Sequence, residues 1–371
     1  MLELQTRCIE RAKPFLAVIF IQFGYAGMDL LTKVALNEGM SNYVFVVYRH
    51  AIATFLFAPF AFFKEKDVRP NMTFSIFTKL ISLSLLEPVI DQNLYFLGMK
   101  YTTATFASSM FNILPAITFV MACIFRLENV RMNSIHSQAK IIGTITTISG
   151  AMLMTLMKGP IIPLPWTNGR TTRTIISNHH GMVTNSINLG HSIKGSIMVF
   201  VGCLSSAGFI ILQAMTVKAY PAELSLTAWI CFLGTLNGAI VAAVMERGNP
   251  SAWSIGYDYK LLTTLYTGIV CTGLIYYIQG MVMKERGPVF VTAFSPLSMV
   301  IVATLSSFIL LEKMYLGRVI GAIIIATGLY VVVWGKSQDY NKDSSDDDEL
   351  DRNIQTNLGA KLQIIMPSTD D

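Results

Sequence analysis

Ten stretches of about 20 apolar residues recur along the chain, near 15–36, 43–63, 75–97, 102–125 and 137–157, and again near 195–217, 224–245, 260–282, 288–311 and 315–335. At a rise of about 1.5 Å per residue, each is long enough to cross the roughly 30 Å hydrocarbon core of a bilayer. Lipid offers no partner for backbone N–H and C=O groups, so such segments fold as helices. The expected fold class is therefore an all-α integral membrane protein of about ten transmembrane helices. Composition agrees: 53% of the 371 residues are hydrophobic and only 14% charged, outside the usual range of soluble domains. The net charge of +5 comes from Lys and Arg at segment ends. No basic run forms a nucleic-acid footprint, and lipid headgroups account for the charge.

The two sets of five bracket residues 158–194, rich in Pro, Gly, Asn, Ser and Thr, which read as a linker. Beyond Lys336 the chain turns polar, and its run Ser344-Ser345-Asp346-Asp347-Asp348-Glu349 cannot bury apolar surface. A disordered acidic cytosolic tail is expected there, with Ser344 and Ser345 as candidate phosphate acceptors. Gly143-Thr-Ile-Thr-Thr-Ile-Ser-Gly150 aligns with Gly321-Ala-Ile-Ile-Ile-Ala-Thr-Gly328, and the same register pairs Lys158 with Lys336. This is an internal repeat. The expected divisions are 1–157 for the first copy, 158–194 for the linker, 195–335 for the second copy and 336–371 for the tail. Five is odd, so the second copy enters the membrane from the opposite side, as in transporters that alternate access to a central site. Lys64, Lys66, Arg69, Lys79, Arg126, Arg131 and Lys140 follow the second and fourth segments and put both termini in the cytosol. The first apolar segment, Phe15 to about Leu36, is longer than a signal-peptide core and reads as an uncleaved span. Cys123, Cys203, Cys231 and Cys271 fall inside apolar stretches and Cys8 precedes the first, so no disulfide framework is read.

An ionisable group inside a span costs roughly 2.5 to 3.5 kcal/mol on insertion scales and usually faces a cavity or a partner. Here such groups gather in the first half. Asp29 and Lys33 share a face of span one, Arg49 lies in span two, and Glu87 and Asp91 lie four apart on span three with Ser84 and Tyr95 at helical spacing. Counting from the segment ends, Arg49 sits about 9 Å below the outer boundary, between Asp91 at about 6 Å and Glu87 at roughly 15 Å, depths that permit an ion pair. Glu87 or Asp91 would then bind a proton or a substrate ammonium, with Arg49 tuning the carboxylate or holding a substrate carboxylate. The competing reading is a static buried pair that locks helices together.

Span four carries Thr105, Ser108 and Asn112 on one face leading to Pro115, and span nine carries Pro296. Each proline should kink its helix or free the carbonyl of Phe111 or Thr292, which makes both candidate neighbours of a cavity, with a kink that serves packing alone as the competing reading. The second half offers Gln213, Trp229, Asn237, Tyr276, Tyr277 and Gln279, neutral groups that suit a small neutral or zwitterionic solute better than a polyphosphate. The glycine pairs 143/150 and 321/328 read as close-packing faces. His179, His180 and His191 lie in the linker without neighbouring carboxylates or thiolates, so no metal is expected, and no cofactor motif or nucleophile-base pair appears.

Tyr48-Arg49-His50, Glu87-Pro-Val-Ile-Asp91-Gln-Asn93-Leu-Tyr95, Asn112-Ile-Leu-Pro115, Phe294-Ser295-Pro296-Leu297 and Gly328-Leu-Tyr-Val-Val-Val-Trp-Gly-Lys336 resemble the plant nodulin-21-like, WAT1-related proteins of the drug/metabolite transporter superfamily. The resemblance covers about residues 10–336. It implies two EamA-type five-helix repeats and transport of small organic solutes, in a family whose members are mostly amino-acid facilitators or exporters, with one vacuolar member linked to auxin. The leading expectation is facilitated or proton-linked export of neutral amino acids through a cavity lined by spans one, three, four, six, eight and nine. A weak organic acid such as auxin is the alternative solute, and a membrane scaffold or receptor is the rival of another class. The plasma membrane is the expected location, with the vacuolar membrane as alternative, and a homo-oligomer stays open.

Overall fold

In a computed structural model, the described residues are 2–37, 39–101, 110–128, 134–157, 159–162, 189–254, 259–309 and 314–335; side chains are not described at 2–11, 33, 34, 36, 37, 96, 99, 100, 161, 162, 189–192 and 309. The inter-repeat linker, apart from its ends, lies outside these residues. So do the acidic tail with Ser344 and Ser345, His179, His180, and the side chain of His191.

The described residues are helical almost throughout. Span one is α1 (Leu2–Asn37) and span two is α2 (Asn42–Lys64). Span three joins α3 (Phe74–Ser84) to α4 (Gln92–Tyr101) through a π-helical segment, Leu85–Asp91. Spans four to seven are α5 (Leu114–Ile124), α6 (Ile135–Leu156), α7 (Leu189–Ala219) and α8 (Glu223–Met245). Span eight joins α9 (Tyr259–Tyr266) and α10 (Ile275–Arg286) through a second π-helical segment, Thr267–Leu274. Span nine is α11 (Pro288–Ala293) followed by α12 (Ser295–Ile309), and span ten is α13, 316–335. Eight of the ten are long and apolar enough to cross a membrane by length and composition; the others are the charge-bearing span three and the short apolar α5. Two short strands, β1 (Ile161–Ile162) and β2 (Met314–Tyr315), pair antiparallel.

Polarity runs opposite to that of a soluble protein. Phe55, Phe63 and Phe74 are 79 to 87% exposed, whereas Arg49, His50, Asp91, Gln213 and Gln279 are buried. Such an apolar exterior is stable against acyl chains, and the buried polar groups then require partners inside the bundle.

The repeat is deeper than the glycine strings alone indicated. An offset of 181 residues carries Asn42–Lys64 onto Glu223–Met245, Tyr95 onto Tyr276 and Pro115 onto Pro296. It also brings the first π segment to within two residues of the second. The copies run antiparallel where spans two and seven pack together, and glutamates join their ends. Glu65, just past the end of α2, accepts the backbone N–H groups of Leu224 (2.9 Å) and Ser225 (2.7 Å) in the first turn of α8. Its counterpart Glu246, just past the end of α8, accepts the hydroxyl of Ser41, the residue ahead of α2. Each carboxylate thus meets the donor-rich start of the other helix, where negative charge is stabilising. Spans five and ten pack through their glycines. A Cβ added at Gly143 would lie 2.8 Å from the Gly328 carbonyl oxygen, and one at Gly150 would lie 3.0 Å from that of Gly321.

The proline expectation is corrected in form. Pro115 and Pro296 do not sit within continuous kinked helices. A turn at Asn112–Ile113 precedes α5 and one at Phe294 precedes α12, so each proline occupies a first helical turn. There its missing N–H removes no intrahelical bond. Spans four and nine are therefore broken at matching positions of the repeat.

Candidate functional site

Span three delivers the central carboxylate because it is not a regular α-helix. Pro88 has no N–H to donate and its ring crowds the preceding turn. The backbone widens, and the N–H of Gln92 bonds to the carbonyl of Glu87, five residues back. Ser205 of span six donates to the carbonyl of Leu86 (2.7 Å), and the side chain of Asn93 donates to that of Val89 (2.7 Å), so polar side chains complete the altered ladder. π-helical turns often mark functional positions.

Glu87 sits at the centre of a buried cluster. Its Oε1 accepts from Arg49 Nη2 at 3.2 Å and from Gln92 Nε2 at 2.6 Å. Its Oε2 lies 3.6 Å from His50 Nε2, too far for a hydrogen bond. Arg49 Nη1 reaches the Met28 sulfur of span one at 3.7 Å. Span two approaches this closely because spans seven and eight present glycines. A Cβ at Gly234 would lie 3.0 Å from the His50 ring and 3.2 Å from Pro88, and one at Gly268 would lie 2.8 Å from the carbonyl oxygen of Arg49.

A second polar chain crosses beside this cluster. Tyr25 of span one donates to Gln279 (3.3 Å), Gln279 donates to Gln213 (2.9 Å), and Gln213 donates to the carbonyl of Tyr276 (3.2 Å). The Tyr25 and Tyr276 hydroxyls both lie within the fields of Glu87 and Arg49. Asp91, one turn beyond Glu87, packs against Gly202 of span six. Arg49 Nε, Glu87 Oε2, Asp91 Oδ1, Gln92 Oε1 and the Tyr276 hydroxyl are buried without a hydrogen-bond partner among the described residues. Five orphaned atoms around one ion pair suit a ligand that both donates and accepts.

Of the residues expected at the site, Arg49, Glu87, Asp91, Gln213, Tyr276 and Gln279 come together. Asn93 turns its amide back onto its own helix, and the ring of Tyr95 packs edge-on to Phe111 at 4.8 Å. Asn112 bonds Thr155 of span five at 3.5 Å, while Ser295 and Pro296 belong to the break in span nine. Asp29 is exposed, with no hydrogen bond or ion pair among the described residues, and the side chain of Lys33 lies outside them. Sequence reasoning missed Tyr25, His50 and Gln92. His50 and Gln92 stand beside Arg49 and Asp91 in the quoted motifs, and Tyr25 lies one helical turn before Asp29. Span two, left out of the expected lining, supplies both Arg49 and His50. A cavity of about 300 Å³ lies elsewhere, in an apolar recess of spans five, nine and ten lined by Met154, Val300, Ala303, Arg318 and Ala322.

Residues 13–156 and 193–334 match the EamA-like transporter family. The chain is 59% identical over 338 residues to WAT1-related protein At2g37460 of Arabidopsis thaliana, covering 91% of this chain and 87% of that protein. It is 55% identical over 359 residues to WAT1-related protein At2g39510 of the same plant, covering 96% and 92%. One crystal structure superposes with a TM-score of 0.67 over 88% of this chain and 98% of its own, at 12% identity, a likeness of fold alone. A multi-span helical bundle, two inverted copies and these matches agree: the chain belongs to the EamA-like transporter family, among its WAT1-related members.

Proposed function

We propose that this transporter exports small zwitterions, neutral amino acids first, by alternating access around the Arg49–Glu87 site. The observation that supports this reading most is the ion pair itself, whose remaining polar atoms, Arg49 Nε and Glu87 Oε2, are buried and unpartnered among the described residues. A zwitterion brings a carboxylate for the guanidinium and an ammonium for the carboxylate, so neither protein charge is stranded when the pair opens. Asp91 supplies a second acidic atom, and Tyr276, Gln279 and Gln213 are neutral groups for the rest of the solute. Asn93, Tyr95, Asn112, Pro115, Ser295 and Pro296 shape the helix breaks around it rather than bind directly, and Asp29 with Lys33 are accessory charges along span one. A weak organic acid fits less well, because Glu87 would face its anion.

The two copies would rock about the packed spans two and seven, with both termini cytosolic as the basic loops after spans two and four favour, and the plasma membrane is the proposed location. The division into copies 1–157 and 195–335, a linker 158–194 and a solvated tail 336–371 belongs to the same proposal. Counterflow in proteoliposomes tests it: labelled alanine should exchange against unlabelled neutral amino acids and not against indole-3-acetate. Exchange of the indole acid alone would replace the amino-acid reading, and a folded protein that exchanges neither would favour a scaffold or receptor.

A further inference from the structure

His50 has no place in the solute contacts above, yet it is fully buried against Glu87. Its Nδ1 lies 2.8 Å from the carbonyl oxygen of Val46, one turn back on span two. A carbonyl only accepts, so Nδ1 carries a hydrogen. In a neutral imidazole that leaves Nε2 with a lone pair, and Nε2 points at Glu87 Oε2 from 3.6 Å. Neither atom has a hydrogen-bond partner among the described residues. The gap is too narrow for a bridging water, because two bonds of about 2.8 Å meeting near the tetrahedral angle hold their acceptors about 4.5 Å apart. Two facing lone pairs, one on an anion, repel at this distance, and a proton on Nε2 turns that repulsion into attraction.

Steric fit on the far side holds the imidazole there. Span seven presents Gly234 to the ring, where a Cβ would lie 3.0 Å from Cδ2. The charged and titratable groups around this pair are Arg49 on span two, Asp91 on span three, Tyr25 on span one, Cys231 on span seven, and Cys271 and Tyr276 on span eight. Arg49 is the only cation among them, and it and Gln92 already occupy Glu87 Oε1. Oε2 is therefore the oxygen left for a substrate ammonium, and it is the one that faces His50.

We propose that His50 and Glu87 share one proton and that the ammonium of the solute displaces it, making transport a one-for-one exchange of solute against proton. This rests on the reading of the site as a zwitterion site. In the proton-loaded state the proton sits on Nε2 and faces Oε2, a charge pair rather than a hydrogen bond, and Arg49 keeps its bond to Oε1. When the solute binds, its ammonium takes the Oε2 side and its carboxylate takes Arg49 Nε. The proton then leaves to whichever side the site is open, and returning it restores the empty site. No bond other than N–H or O–H is made or broken.

The test uses the full chain in proteoliposomes with the potential clamped by potassium and valinomycin and labelled alanine as probe. Counterflow at equal pH on both sides tests the transport reading, and its absence overturns that reading and this proposal together. A lumen more acidic than the bath should drive alanine inward, up to about tenfold accumulation per pH unit at one proton per solute. Counterflow without such accumulation overturns the proton exchange and leaves transport standing. Accumulation under the opposite gradient means the two travel together and overturns the competition. His50→Gln, whose amide can still donate to Oε2, should lose the accumulation. Its readout is the ratio of gradient-driven accumulation to counterflow, which survives a fall in absolute rate; an unchanged ratio overturns the role of His50. Should the variant fail to fold, wild-type protein in weakly buffered detergent answers directly: alanine should release about one proton per chain, and release of none overturns the proposal.

Discussion

Three glycines at which the second copy touches span two make a graded prediction about how closely the site is held. A Cβ at Gly268 would meet the carbonyl oxygen of Arg49 at 2.8 Å and Ile52 at 3.0 Å, so main chain opposes it and no rotamer change relieves it. Carbon contacts are favourable near 3.5 to 4.0 Å, so spans two and eight must part by about half an ångström. Overpacking of this kind costs about 1 to 3 kcal/mol, and the greater helix preference of Ala over Gly returns at most about 1 kcal/mol. At Gly238 the same Cβ would lie 3.5 Å from Val47 and 3.8 Å from Val46, ordinary contacts, so Gly238→Ala should be neutral or slightly stabilising. Gly268→Ala should therefore fall below Gly238→Ala by about 2 kcal/mol in an unfolding titration. Its alanine efflux should drop about tenfold or more, since an ångström of misplacement at a reacting or binding group costs about a hundredfold. Gly234→Ala, with 3.0 Å to the His50 ring and 3.2 Å to Pro88, should lose more flux than stability because it presses on the site rather than on main chain. The measurements are denaturant unfolding in detergent and efflux from liposomes prepared from the same batch. Equal damage at Gly238 and Gly268, or a silent Gly268→Ala, would refute the claim that these contacts set the position of Arg49.

Glu65→Ala removes a carboxylate that accepts two N–H groups at 2.9 and 2.7 Å, and at about 1.5 to 3 kcal/mol per charged hydrogen bond the melt should fall by roughly 3 kcal/mol, with Glu65→Gln retaining part. Lys140 and Glu128 form a buried pair at 2.8 Å where span five begins, so Lys140→Met alone should cost about 3 to 5 kcal/mol by removing this cation from the buried acid. Adding Glu128→Leu should restore most of that loss, and a double variant as unstable as the single one would count against the explanation. Glu87→Gln should reach the membrane at normal levels with a flux that is low and flat with pH; normal expression with unchanged flux at every pH would make the Arg49–Glu87 pair purely structural.

Local signals carried the fold a long way. Segment length and hydropathy locate eight of the ten spans, and the glycines at 143, 150, 321 and 328 mark a close approach that the structure resolves as spans five and ten facing each other. The Arg49–Glu87 pair was legible because a charge in an apolar segment is costly enough to demand a partner. What stayed hidden depends on register between distant segments. Nothing local ties Glu65 to the start of a helix 159 residues away, or brings Tyr25 to Gln279 254 residues on. The π turns were hidden as well. Pro88 signals a disturbed helix in span three, but span eight widens at Thr267–Leu274 without a proline in the segment, where Gly268 and Gly273 meet span two closely. Pro115 and Pro296 were legible as breaks, but whether a proline kinks a helix or begins one depends on the residues before it.

The offset of 181 residues separates scaffold from chemistry. Positions that keep their kind between copies shape the bundle: Glu65 and Glu246 join helix ends, and Pro115 and Pro296 open the broken spans. Positions that change are those around the ion pair. Arg49 corresponds to Ile230, His50 to Cys231 and Glu87 to Gly268, and it is Gly268 that packs on the carbonyl of Arg49 while Cys231 lies within the field of Glu87. The second copy thus carries no charge at these positions and forms part of the wall that desolvates the pair. An inverted repeat needs matching backbones to exchange its inward and outward states, but one solute needs only one pair of charges. A second set at Ile230 and Gly268 would add the insertion cost of two more buried ions, and Gly268 has no room for a side chain. The asymmetry follows from packing as much as from binding, which makes restoring charge in the second copy a sterner perturbation than removing it from the first.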